Sequence, residues 1–159
     1  MTRRARAAVV TVQNSSGVAG VPSPAQLRKW ARLALADEVR GELTVRIVDE
    51  KESAALNSRY RGKKGATNVL SFGAELPPGA AAAKGLLPFG DVVICAPVVE
   101  REAREQRKTA QAHWAHMVIH GTLHLQGYDH EKARDAGAME ARERALLARL
   151  GFPDPYSIK

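Results

Sequence analysis

Residues 109–130 read TAQAHWAHMVIHGTLHLQGYDH, and this stretch decides how the second half of the chain folds. Thr109 is a helix-capping residue type, and the apolar residues behind it recur at helical spacing. The spacing predicts a helix to about Gln126, where Gly127 supplies a left-handed stop. All five histidines of the chain lie between positions 113 and 130. At 100° per residue, His113, His116, His120 and His124 fall within an arc of about 80° on one helical face.

A lone histidine on a helix is usually a surface or core residue, but four on one stripe point to shared chemistry. His120 and His124 stand one turn apart, the spacing that lets two imidazoles reach a single ion. His116 is a poorer third ligand. Eight residues separate it from His124, about 12 Å along the axis, whereas metal–nitrogen bonds are only ~2.0–2.1 Å. A turn through Gly127, Tyr128 and Asp129 instead allows His130 to fold back toward the same ion. The expected ligands are therefore His120, His124 and His130, with Asp129 placed to orient a ligand histidine or to cap the next helix.

Three neutral imidazoles leave a fourth position open, which is the pattern of catalytic rather than structural sites. One ion is expected. Zinc is the default metal for nitrogen donors, with nickel, copper and iron as the other candidates. Zinc lowers the pKa of a coordinated water to about 7 and so supplies hydroxide at neutral pH. The His-Gly-His spacing is also that of H-E-x-x-H-x-x-G-x-x-H metalloproteases. Their general base follows the first histidine, and here that residue is Gly121. A peptidase without its base loses orders of magnitude in rate, so a metalloprotease-like hydrolase stays only as the least favoured alternative.

Working outward, four short stretches have strand character. Ala7–Val12 and Leu43–Val48 are β-branched and roughly alternate, while Val69–Phe72 and Val92–Cys95 are apolar runs bounded by turn residues. Ser23-Pro24 starts one helix, with Leu27, Trp30, Ala31 and Ala34 as its apolar stripe. Asp49 caps a second to about Arg59. Pro97–Lys108 is a third, with a solvated, mixed-charge face expected. A last helix runs from about Glu131 to Leu150, burying Met139, Leu146, Leu147 and Leu150. Pro77–Lys84, PPGAAAAK, reads as an excursion between elements. The expectation is an α/β (α+β) fold: a small mixed sheet of about four strands with about five helices, and the metal site on a helix and its following turn.

The chain has 159 residues, 45% of them hydrophobic, as expected for a single domain over residues 1–159. One cysteine, Cys95, forms no internal disulfide, which suits a reducing cytoplasm. Met1–Arg6 is basic, but Ala7–Val12 is too short for a signal core, and no run approaches the ~20 apolar residues of a membrane span. A cytoplasmic location follows as the expectation. The net charge of +7 favours polyanionic partners. Arg59, Arg61, Lys63 and Lys64 form a basic segment with no acid among them, suited to phosphate contact or to a solvated loop.

The run HGTLHLQGYDH at 120–130 resembles the hallmark of the YbeY family of endoribonucleases and meets it in full. Gly90-Asp91-Val92-Val93-Ile94 is similar to the family's G-D-I-x-I strand. LNSRYRGKKGATNVLSF at 56–72 is similar to its L-N-x-x-Y-R-x(4)-P-T-D-V-L-S-F segment, with Asn68 in place of the usual aspartate and Ala66 in place of proline. Met139, Glu143 and Pro155-Tyr156 fit the family's closing helix and tail. The resemblance implies a single-strand-specific, metal-dependent endoribonuclease acting in 16S ribosomal RNA maturation and ribosome quality control. It implies metal at His120, His124 and His130, and an essential Arg61. Arg59, Lys63 and Lys64 would then hold flanking RNA phosphates, and the partners are ribosomal RNA and ribosomal proteins. An arginine fork suits two non-bridging phosphate oxygens and the charge that builds up on them. The nucleophile is water or the RNA 2′-hydroxyl. The rival from another class is a ribosome-binding assembly factor with a structural metal.

Overall fold

A computed structural model describes residues 8–73, 87–128 and 133–157. Four strands form one sheet: β1 (Val9–Asn14), β2 (Glu42–Val48), β3 (Val69–Gly73) and β4 (Pro88–Cys95). Their spatial order is β1-β2-β4-β3, with β1, β2 and β4 parallel and β3 antiparallel on the β4 edge. Five helices complete the described structure: α1 (Pro24–Ala34), α2 (Glu50–Arg61), α3 (Ala96–Glu105), α4 (Ala110–Leu125) and α5 (Ala133–Arg149). The fold is α/β with a mixed sheet, as the element pattern predicts.

The strand pleat sorts side chains to two faces. Leu43, Val45 and Ile47 of β2 join Val92 and Ile94 of β4 in the larger core, which α1, α4 and α5 cover with Trp30, Trp114, Ile119 and Leu147. Val48, Leu70, Val93 and Cys95 point the other way, onto Val98 and Leu56. Cys95 is packing, as expected for a thiol at a strand end. Burying each such aliphatic side chain stabilises the fold by ~1.5–3 kcal/mol.

Local signals act as their chemistry dictates. Ser23 and Gln26 form a reciprocal capping box on α1. Asp49 accepts from the Glu52 amide at 2.9 Å to start α2, and Thr109 caps α4. Several boundaries differ from the sequence reading: α3 ends at Glu105 rather than Lys108, α2 runs on to Arg61, and two strands shift. β4 begins at Pro88 rather than Val92, because Pro88 needs no donor at a strand start and Gly90 lies in the ladder opposite Leu43. β1 extends through Gln13 and Asn14, polar residues that still pair with Arg46 and Ile47. The excursion at Pro77–Lys84 and the expected start of α5 at Glu131 lie outside the described residues.

Helix α4 seats on the sheet at two glycines. A Cβ on Gly121 would lie 2.6 Å from Val92 Cγ1 and 3.0 Å from Val69 Cγ2. A Cβ on Gly90 would lie 2.9 Å from Leu125 Cδ2. The position that carries the protease glutamate is thus a contact point between helix and sheet, with no room for a side chain. Among the described residues, no helix is long and apolar enough to cross a membrane.

Candidate metal centre and the Arg61 cleft

Exposure rises along the histidine face of α4. His113 and His116 are buried at 2% and 7%, His120 is half-buried and His124 is exposed. The helix therefore carries its histidine stripe from the core out to the surface, with His120 and His124 at the emerging end. There α4 stops. The Tyr128 amide donates to Leu123 O at 3.4 Å and the Gly127 amide to His124 O at 3.1 Å, with Gly127 at φ 99°. This 6→1 and 5→2 pair is a Schellman stop, which ends the helix and satisfies its last carbonyls. His130 and Asp129, predicted from sequence as third ligand and orienting group, lie outside the described residues.

Behind His120 sits a group that sequence reasoning did not assign to the site. Glu143 of α5 is fully buried. Its Oε2 lies 2.6 Å from His116 Nε2 and 3.1 Å from His120 Nδ1, and its Oε1 accepts the Tyr156 hydroxyl at 2.7 Å. Burial alone would push this carboxyl up, but the hydrogen bonds from His116 and His120 outweigh it and bring the group down to about 2. Burial and the Glu143 charge together push the Tyr156 hydroxyl up. Ligand atoms of His116, His120 and Glu143 lie within 4.8 Å of one another, so this group could hold a metal ion. A sequence signal for it existed. Glu143 lies four residues after Met139 and three before Leu146, so an acid stands on the buried stripe of α5.

A second pair lies one turn earlier on α4, with the histidine buried and the carboxylate partly exposed. His113 Nε2 is 2.8 Å from Glu102 Oε1, and Asn68 Nδ2 donates to the same carboxylate at 3.1 Å. Desolvation lowers the His113 pKa despite that partner. Asn68, the departure from the family pattern, is thus a neutral donor to Glu102, and its Oδ1 accepts the Val69 amide at 2.6 Å. The third helix is less fully solvated than its charge pattern suggests, because Glu102 and Glu100 turn inward. Glu100 accepts from the buried Trp114 indole at 2.9 Å.

The basic segment is held in place by α2. Ser53 Oγ donates to Thr67 O at 3.1 Å and accepts the Thr67 amide at 3.0 Å, while Asn57 Nδ2 donates to Gly65 O at 3.0 Å. Those bonds tie the loop after α2 to the helix, with Gly62 left-handed at φ 65°. Arg59, Arg61, Lys63 and Lys64 are all exposed. Arg61, with Tyr60, Ser71 and Phe72, lines an open cleft of about 740 Å³. Arg59, Lys63 and Lys64 do not line it, and the Arg59 guanidinium lies over the Tyr60 ring at 5.4 Å. Ser71 also donates to Gly121 O at 2.9 Å. One wall of the cleft is therefore a single hydrogen bond from the turn that carries His120.

A family model described as Endoribonuclease YbeY matches residues 13–151. A curated Endoribonuclease YbeY of Xanthomonas campestris pv. campestris (strain B100) is 55% identical over 139 residues, 87% of this chain and 86% of that protein. The Endoribonuclease YbeY of Xanthomonas axonopodis pv. citri (strain 306) is 56% identical over 140 residues, 87% of each chain. The solution structure of a Thermotoga maritima protein shares the fold at a TM-score of 0.56 and 23% identity, covering 94% of this chain and 100% of that one.

Proposed function

This chain belongs to the YbeY family of endoribonucleases, and on that premise we propose that it cuts single-stranded ribosomal RNA at a metal ion held by His120, His124 and His130. The observation that carries the reading is the juxtaposition at the open end of α4. His120 and His124 stand one turn apart where the helix leaves the core, and Ser71, which lines the cleft together with Arg61, donates to Gly121 O next to His120. Imidazole nitrogens suit zinc, and a solvent-facing helix end leaves a coordination position for substrate or water. When bound, such an ion supplies Lewis acidity toward a phosphoryl oxygen and lowers the pKa of water.

The chain's own residues do the rest. Arg61, anchored at the last turn of α2, presents two parallel N–H donors to the non-bridging oxygens of the scissile phosphate and offsets charge in the transition state. Arg59, Lys63 and Lys64 hold flanking phosphates and give the affinity its salt dependence. The Tyr60 ring, exposed beside Phe72 at 5.1 Å between centroids, offers a stacking surface for an unpaired base. The nucleophile is water or the RNA's own 2′-hydroxyl. Asp129 orients a ligand histidine. The reading extends to one domain over 1–159, a cytoplasmic location, 16S ribosomal RNA maturation and quality control as the pathway, and ribosomal proteins as partners.

The test compares wild type, Arg61→Ala and His124→Ala, purified identically, for bound metal and for cleavage of a single-stranded ribosomal RNA fragment. The expected result is loss of metal and cleavage in His124→Ala, and loss of cleavage with retained metal in Arg61→Ala. Equal background cleavage in all three, with only His124→Ala losing metal and stability, would make the ion structural and the protein an RNA-binding assembly factor.

A further inference from the structure

A carboxylate with no access to water is held in protein interiors only where donors satisfy it. The Glu143 carboxylate meets that condition from three directions: two rings of α4 on one oxygen and the tail residue Tyr156 on the other. Tyr156 is itself fixed. Its ring packs edge-on against His116 at 5.4 Å between centroids, its face lies 5.3 Å from the Arg144 guanidinium, and its amide donates to Asp154 at 2.8 Å.

We propose that Glu143 is the positioning residue of the metal centre, setting the tautomer and orientation of His120, with Tyr156 holding Glu143 in place. This rests on the ligand assignment given under Proposed function. An ionised carboxylate only accepts hydrogen bonds. Its contact at His120 Nδ1 therefore puts the ring proton on Nδ1 and the lone pair on Nε2, the atom that serves a metal. Free histidine in water favours the opposite tautomer, so the buried acid supplies a preference the ring does not have by itself.

Glu143 acts through His120 and not as a ligand in its own right. Its contacts of 2.6 and 3.1 Å are hydrogen-bond separations, already committed to the two rings. An ion placed among these three groups would displace both N–H donors and sit where His116 is 7% and Glu143 0% exposed, out of reach of a polymeric substrate. Exposure rises from there toward His124, so the substrate side of His120 lies away from Glu143.

The experiment uses the full chain stripped of metal, with Zn²⁺ titrated against a chromogenic chelator. Nitrogen-15 NMR of the zinc-free protein reads the His120 tautomer. Glu143→Ala is expected to weaken Zn²⁺ binding by ~10–100-fold, as loss of a carboxylate behind a ligand histidine does. Glu143→Gln, which keeps an oxygen acceptor, restores most of that loss. Tyr156→Phe, which touches neither ring nitrogen of His120, weakens binding by a smaller factor, and His124→Ala abolishes it. In wild type, His120 carries its proton on Nδ1.

Zn²⁺ affinity unchanged in a folded Glu143→Ala protein would overturn the proposal, as would a wild-type His120 protonated on Nε2. Abolished binding in Glu143→Ala with binding retained in His124→Ala would make Glu143 a direct ligand, and would also overturn it. Should Glu143→Ala fail to fold, Tyr156→Phe with wild-type affinity, or a Glu143→Gln protein that keeps the Nδ1 proton yet loses as much affinity as His124→Ala, would refute the clamp. Wild type that takes up no Zn²⁺ would refute the metal reading separately, and the tautomer would then decide the role of Glu143 without it.

Discussion

Replacing Gly121 by alanine tests how closely α4 sits on the sheet. In an open helix, alanine is favoured over glycine by about 1 kcal/mol. At position 121 the added methyl meets Val92 Cγ1 at 2.6 Å, Val69 Cγ2 at 3.0 Å and Ser71 Oγ at 3.2 Å. Val92 and Val69 have short, stiff side chains on two different strands, so neither can swing aside. Overpacking of this kind costs ~1–3 kcal/mol. Gly137 of α5 is the internal control, since a Cβ there meets nothing within 4 Å. Gly137→Ala should gain the helix-propensity term in full. The difference between the two variants cancels that term and isolates the clash, predicted at ~1–3 kcal/mol against Gly121→Ala. That corresponds to roughly 2–4 °C of melting temperature per kcal/mol for a chain of this size. Urea denaturation of the metal-free proteins measures it. A Gly121→Ala protein as stabilised as Gly137→Ala would refute the close seating, and with it the reason given for the missing protease glutamate.

Three further predictions concern the parts around the site. Ser53→Ala removes both bonds to Thr67 and leaves the Thr67 amide without its acceptor. It should cost ~1–3 kcal/mol in denaturation and weaken RNA binding in a filter assay, because the basic loop loses its staple. Asn68→Asp puts a second carboxylate beside Glu102, so the His113 pKa should rise by NMR titration from its burial-lowered value; no movement would contradict the contact. Acid stability should depend on Glu143, whose native carboxyl lies at about 2 against an ordinary 4.5. Its contribution is therefore complete above 4.5 and is lost as pH falls toward 2. Metal-free Glu143→Gln should lose stability less steeply than wild type across that window, and parallel curves would count against it.

Legibility in the sequence followed the range of the interactions. Capping at Ser23, Asp49 and Thr109, the stripe of α1 and the stop at Gly127 depend on neighbours within four residues, and each is readable from the chain alone. The β4 start was obscured because Pro88 and Gly90 look like turn residues, and only their pairing with β2 and β3 makes them strand. That His120 and His124 share one face of α4, a turn apart, was legible from their spacing. Glu143 shows as an acid on the buried stripe of α5, but its partners do not, because it reaches His120 across 23 residues of chain and Tyr156 reaches it across 13. The inward turn of Glu102 was hidden in the same way, by a charge-rich helix whose partners are Asn68, just before β3, and His113 of α4.

On the proposed reading, one ion at the end of α4 serves RNA cleavage. Stepwise addition of Zn²⁺ to the metal-free full chain, with cleavage of single-stranded ribosomal RNA followed at each step, tests it most directly. Cutting should be negligible without metal, rise linearly to one equivalent per chain and then level off, with no rise in His124→Ala. Undiminished cutting by the metal-free chain, or a wild-type rate indifferent to added ion, would contradict it.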